Sequence, residues 1–162
     1  MTTGIVSRLV LAVIATAFAA LGGCNPSPYN PDRATAAYPF NLHGVPAEIN
    51  NVTVQVPRSV QIQVFREGAS LEIVNATARS YEDFDLWINQ RYVKHLESLP
   101  AGETLRISLW DFYDERGEAL VAGGFFRTEK ETPVRLVEMQ LDDETPLIGL
   151  IAIRRLIDDE DR

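Results

Sequence analysis

From residue 48 onward the apolar side chains return at every second position and almost nowhere at every third or fourth. Val52, Val54 and Val56 alternate with polar neighbours, as do Val60, Ile62 and Val64, then Leu71 and Ile73, then Phe84, Leu86 and Ile88, then Leu105, Ile107 and Leu109. Further runs follow over 120–126, 134–141 and 147–156. A period of two sends successive side chains to opposite faces, so such runs bury an apolar set only as strands of a sheet. Turn chemistry separates them: Arg66-Glu67-Gly68, Asn89-Gln90, Pro100-Ala101-Gly102, Asp114-Glu115-Arg116-Gly117, and Asp142-Asp143 with Pro146. About eight short strands recurring roughly every 10 to 15 residues predict an all-β fold, an antiparallel β-sandwich over residues 48–162.

Composition narrows the functional classes. The 162 residues are 46% hydrophobic and 23% charged, which suits one globular domain and excludes wholesale disorder. The formal charge is −8 with no cluster of Lys or Arg, so nucleic acid is not an expected partner. One cysteine, Cys24, and two isolated histidines, His43 and His95, exclude a disulfide framework and offer no recognisable zinc motif. No G-x-S-x-G, H-E-x-x-H or phosphate-cradling glycine loop occurs, and the sequence calls for no cofactor.

Residues 1–23 have the build of a secretory signal, with Arg8 as the only side-chain cation, an apolar run from Leu9 to Leu21, and the small pair Gly22-Gly23. The run is shorter than the roughly 20 residues that span hydrocarbon, so export is a better reading than a permanent transmembrane helix. Leu21-Gly22-Gly23-Cys24 resembles the lipobox of bacterial lipoproteins. The resemblance implies cleavage between Gly23 and Cys24, a diacylglycerol thioether on Cys24 Sγ and acylation of the new amino group, which together anchor the protein to the cell envelope. Asn25 after the cysteine, where Asp would retain an enterobacterial lipoprotein in the inner membrane, implies the outer membrane. Loss of the leader removes Arg8 and no acid, leaving 15 − 1 = 14 basic against 23 acidic residues, a mature charge of −9.

Residues 24–47 follow, with five of the nine prolines and no apolar period, and read as a tether. Pro26, Pro28 and Pro31 favour polyproline II at about 3.1 Å per residue, enough for a spacer of up to about 60 Å. The rival reading docks this segment on the body through Tyr38, Phe40 and Leu42 as an added edge strand.

Within the body, 71–77 (LEIVNAT), 85–89 (DLWIN) and 99–103 (LPAGE) resemble immunoglobulin-like and fibronectin-III-like envelope modules, which implies architecture but no activity. If Asn89-Gln90 is a two-residue turn, Trp87 faces Tyr92 and Asp85 faces Lys94, forming an aromatic pair flanked by an ion pair on the outer face. A three-residue turn pairs Ile88 with Tyr92 instead, and immunoglobulin-like folds keep a strand tryptophan in the core, so both placements stay open. Exposed, the four residues would form a binding patch for an envelope protein or, alternatively, a stacking platform for cell-wall glycan. A small carboxylate-dependent hydrolase using Asp83, Asp85, Asp111 and Asp114 is the remaining, weaker possibility. Oxygen ligands for calcium from Asp111, Asp114 and Glu115 compete with a plain turn closed by Gly117.

Lipidation is directly testable. Cys24→Ala is expected to abolish acyl labelling and shift the protein out of the detergent phase; unchanged partitioning would contradict the lipobox reading.

Overall fold

The computed structural model describes residues 30–49, 52–56, 58–123 and 130–153. The signal segment, Gly23, Cys24 and the acidic tail 158–161 lie outside these. Among the described residues there are nine strands: β1 (Val45–Ile49), β2 (Val52–Val56), β3 (Arg58–Glu67), β4 (Ser70–Asn75), β5 (Tyr81–Ile88), β6 (Tyr92–Leu99), β7 (Thr104–Ser108), β8 (Val137–Gln140) and β9 (Ile148–Ile153). The described residues hold no α-helix, only short 3-10 turns such as Phe40–Leu42 and Leu109–Asp111.

The all-β expectation holds, but the layers differ. β1 and β2 form a separate two-stranded ribbon, and the other strands form one sheet in the order β6-β5-β8-β9-β3-β4-β7, curled nearly into a barrel. Nor is the sheet purely antiparallel, since β3 and β9 run parallel, Arg58 beside Ile148 and Phe65 beside Ile153. The described part of the expected strand over 120–126, residues 120–123, forms no strand; just before it Ala119 makes an isolated bridge with Tyr113.

The inward set is the alternating one. Ile62 and Val64, Leu71 and Ile73, Phe84, Leu86 and Ile88, and Val137 and Met139 fill the inside of the curled sheet, where each fully buried aliphatic or aromatic side chain contributes about 1.5–3 kcal/mol. Tyr81 and Leu99 face each other three residues beyond the Phe84–Leu96 pair, yet all four sit in this core. Both strands therefore switch inward phase between the pairs, and Asp83, with φ of 52°, marks the switch on β5.

Edges β6 and β7 are tied at both ends. At one end the buried Asn75 donates its amide to the carbonyls of Arg79, Leu99 and Pro100, while its backbone bonds Gly102 and Glu103. At the other end the chain leaves β7, turns at Leu109–Asp111, and exchanges Tyr113 and Val93 backbone hydrogen bonds on β6. These two ties define the ends of the barrel. One carries the turns 67–70, 89–91 and 109–118; the other carries 76–80, 100–103 and 141–147, and the β1–β2 ribbon leaves beside it, where Arg58 meets Ile148.

The described part of the expected tether does not stand off from the body. Asn30 N–H donates to the Arg116 carbonyl, Thr35 N–H to Asp114 and its hydroxyl to Tyr113, and Leu147 N–H donates to Leu42. Residues 30–44 form a strap along the outer face of β5 and β8. As the docking alternative expected, Tyr38 and Leu42 are buried, but no edge strand forms, and Phe40 points outward at 69% exposure.

Gly117 makes the first strap contact possible. Its φ is +78°, and a Cβ there would sit 2.4 Å from the Asn30 carbonyl oxygen. Gly68 has a similar φ of +58° but open space around it. Gly68→Ala is expected to cost the left-handed penalty alone, about 1–2 kcal/mol, and Gly117→Ala clearly more because the strap must also move. Urea midpoints at unchanged m-value measure both; equal shifts would show that the strap contact contributes nothing.

Candidate functional site

The chemistry of the molecule gathers on the outer face of β5, β6 and β8, where the strap crosses. In the observed register Ile88 pairs with Tyr92, Trp87 with Val93, Leu86 with Lys94 and Asp85 with His95, so the turn is the three-residue one, Asn89-Gln90-Arg91. The expected patch is thereby dismantled. Tyr92 turns inward and is 7% exposed, with Arg91 stacked 4.9 Å from its ring. Trp87 stays on the outer face but is only 1% exposed, because Tyr38 packs edge-on against it with ring centroids 5.3 Å apart and Leu42, Val93 and Leu147 complete the cluster. Its indole N–H donates to Gln140. The glycan platform loses both of its aromatics in the same way. Asp85 pairs with His95, and Lys94 with Asp111, so the Asp85–Lys94 ion pair does not form.

The sequence reading passed over Glu138. It alternates with Val137 and Met139 and so occupies the outward phase of β8, opposite Trp87. The strap covers it to 1% exposure. Tyr38 donates its hydroxyl to Oε2 at 2.5 Å, and His43 Nδ1 lies 2.7 Å from Oε1. An unpartnered carboxylate at this depth would cost several kcal/mol, so the two strap side chains are what permit it there. Burial first, and then the hydrogen bond to Glu138, push the Tyr38 hydroxyl far above its ordinary value. Tyr38 is therefore held as a hydrogen-bond donor to Glu138.

A second knot lies at the turn end. Asp114 is buried, and its carboxylate accepts from Arg91 Nε and Nη2 and from the backbone N–H groups of Arg116 and Glu118. Arg91 also bonds Glu118. Desolvation raises the Asp114 pKa, but the Arg91 bonds and the two backbone donors outweigh it and hold the carboxyl below its usual range. With these partners Asp114 is the clasp of a turn closed by Gly117, and the calcium reading loses its central ligand. Among the described residues no group of three metal-ligating side chains converges.

The third group is exposed. His95 lies 2.9 Å from Asp85 and 3.2 Å from Asp83. The Asp85 hydrogen bond, more than the charges, raises the His95 pKa. It sits on the outer edge of β6. The backbone of Val93 points to that edge, as its bonds to Tyr113 show, so by antiparallel alternation the backbone of His95 points there too. Of the four carboxylates considered for hydrolysis, Asp83 and Asp85 meet at His95, while Asp111 and Asp114 are held separately by Lys94 and Arg91.

No protein-family model, curated protein or solved structure matches the chain.

Asp114 sets an acid limit on stability. Its folded pKa is depressed, so its contribution is complete above the unfolded value near 3.8 and disappears as pH falls through the folded value. Asp114→Asn is expected to cost about 2–3 kcal/mol at neutral pH, with the deficit shrinking in acid below the unfolded pKa. Urea titrations of both proteins at neutral and acid pH measure this, and a deficit independent of pH would assign the loss to packing.

Proposed function

We propose that this chain is a lipid-anchored protein of the bacterial cell envelope, in the outer membrane by the Asn25 rule, and that it acts by binding another envelope protein and not by catalysis. The leader and Cys24 support the anchor. Support for a non-catalytic role comes from where the reactive-looking groups are used: Glu138, His43 and Tyr38 hold the strap, while Asp114 and Arg91 hold a turn.

The observation that carries the binding reading is the outer edge of β6. Between the Asn75 tie and the Tyr113 tie, the N–H and C=O groups of His95 face away from β5, and among the described residues no strand pairs with β6 on that side. Such an edge accepts an extended segment by strand addition, with main-chain hydrogen bonds for affinity and neighbouring side chains for selection. Here the neighbours are the His95–Asp83–Asp85 group and the Lys94–Asp111 pair, which favour a segment of mixed charge. Asp83 holds a left-handed φ of 52° beside this edge, a conformation that a non-glycine residue adopts at a cost.

A photo-crosslinking residue placed at Glu97 in cells is expected to give a discrete protein adduct, while one at Glu72, inside the sheet between β3 and β7, gives none. No adduct from Glu97, or the same adducts from both positions, would contradict strand addition at β6.

A further inference from the structure

The β6 edge carries a histidine between two carboxylates. His95 Nδ1 lies 2.9 Å from Asp85 and Nε2 lies 3.2 Å from Asp83, so each ring nitrogen faces an acid. Imidazole has two N–H donors only when it is charged; the neutral ring has one donor and one acceptor. Both carboxylates are therefore satisfied by His95 only in its protonated form. On deprotonation one of them faces a lone pair instead of a proton.

Geometry selects which one. Asp85 makes the shorter contact, and its side chain is 37% exposed against 92% for Asp83. The less exposed acid loses more without a donor, so the remaining proton stays on Nδ1 with Asp85, and Asp83 is released. The neighbours do not replace the lost proton. Lys94 lies on the other phase of β6, across from the inward Leu86, and bonds Asp111. Glu97, exposed two positions along β6, is itself an acid, and Gln140, beside Asp85 on β8, is neutral. The Asp85 hydrogen bond leads the effects that raise the His95 pKa above its ordinary 6.5, so the exchange falls above that value.

An added strand meets this group directly. The N–H and C=O of His95 face the open edge, so an antiparallel segment forms a hydrogen-bonded pair there, its Cα about 5.5 Å from that of His95 and its side chain on the same outer face. With the ring charged, His95, Asp83 and Asp85 hold one net negative charge and both acids are occupied. With the ring neutral they hold two, and Asp83 is free to accept.

We infer that the segment taken up at the β6 edge places an arginine or lysine beside His95, that Asp83 receives it, and that protonated His95 competes with it, so that uptake weakens as pH falls. This rests on the strand-addition reading above, and it adds the chemistry of the partner and the condition under which it binds. The sign is fixed by the cluster: the charged ring repels the incoming cation and occupies its acceptor, and both obstacles disappear as pH rises through the His95 pKa.

The test uses the full chain with the photo-crosslinking residue at position 97, irradiated in isolated envelopes at about pH 5.5 and about pH 8.5, on either side of an ordinary histidine range. Nitrogen NMR of the His95 ring in the full chain, held in detergent micelles, reports its tautomer. The neutral ring is expected as the Nδ1–H form, and the adduct is expected to be several-fold stronger at the higher pH, with an arginine or lysine in the crosslinked peptide. His95→Gln is expected to give the stronger adduct at both pH values, a gain in acid that misfolding cannot produce, and His95→Lys the weaker one at both. Asp83→Asn, which keeps a residue suited to the left-handed backbone, is expected to give the weaker adduct at both. A neutral ring protonated on Nε2, equal adducts at both pH values with His95 in place, pH dependence that persists in His95→Gln, or a crosslinked peptide without a basic residue would overturn the inference while strand addition stands. If position 97 gives no adduct at any pH, strand addition itself fails and the inference falls with it.

Discussion

A single carboxylate determines how this chain must be put together. Glu138 sits on the outward phase of a short strand, where the sheet alone would leave it in water, and the structure instead buries it beneath residues 38–43. Its two oxygens are each met by a strap side chain, one by Tyr38 and the other by His43. The same crossing buries Trp87 with Tyr38, Leu42 and Leu147. Apolar burial supplies most of the attraction, while the Tyr38–Glu138–His43 arrangement sets the register, because a strap displaced by one residue would leave a buried charge without a donor.

That constraint explains which parts of the molecule were legible in the sequence. Period-two alternation identified the inward residues of β3, β4 and β5 because each strand has one apolar face toward a common core, and the pattern is local. It did not specify one sheet or two, since the choice is made by distant pairings such as β3 with β9. The β5–β6 register turned on one residue of loop length. Asn89 is held in place by bonds to Pro133, Arg135 and Leu136, more than 40 positions away, and nothing in the dipeptide Asn89-Gln90 announces them. Trp87 was correctly placed on the outer phase on one reading and correctly buried on the other; the two agree only once a second layer covers the outer face.

The proline content of residues 24–47 was the most misleading signal. Prolines stiffen a chain, and a stiff extended chain suits a strap laid across a sheet as well as a spacer. Tyr38, Leu42 and His43 were the informative residues: two apolar side chains and a potential partner for a buried acid, in a segment otherwise poor in apolar groups. Glu138, flanked by Val137 and Met139, carried no mark that separates a covered acid from a solvated one. The proposed binding edge was no more visible, because an edge is a property of strand order and not of any strand's own sequence.

The claim that the strap belongs to the folded domain is most directly tested by native-state hydrogen exchange of two amides: Thr35, which donates to Asp114, and Leu147, which donates to Leu42. If the strap is part of the cooperative unit, both are expected to exchange with free energies close to those of the barrel amides in β5 and β8. Exchange of Thr35 and Leu147 through a low-energy local opening, with β5 and β8 still fully protected, would contradict it.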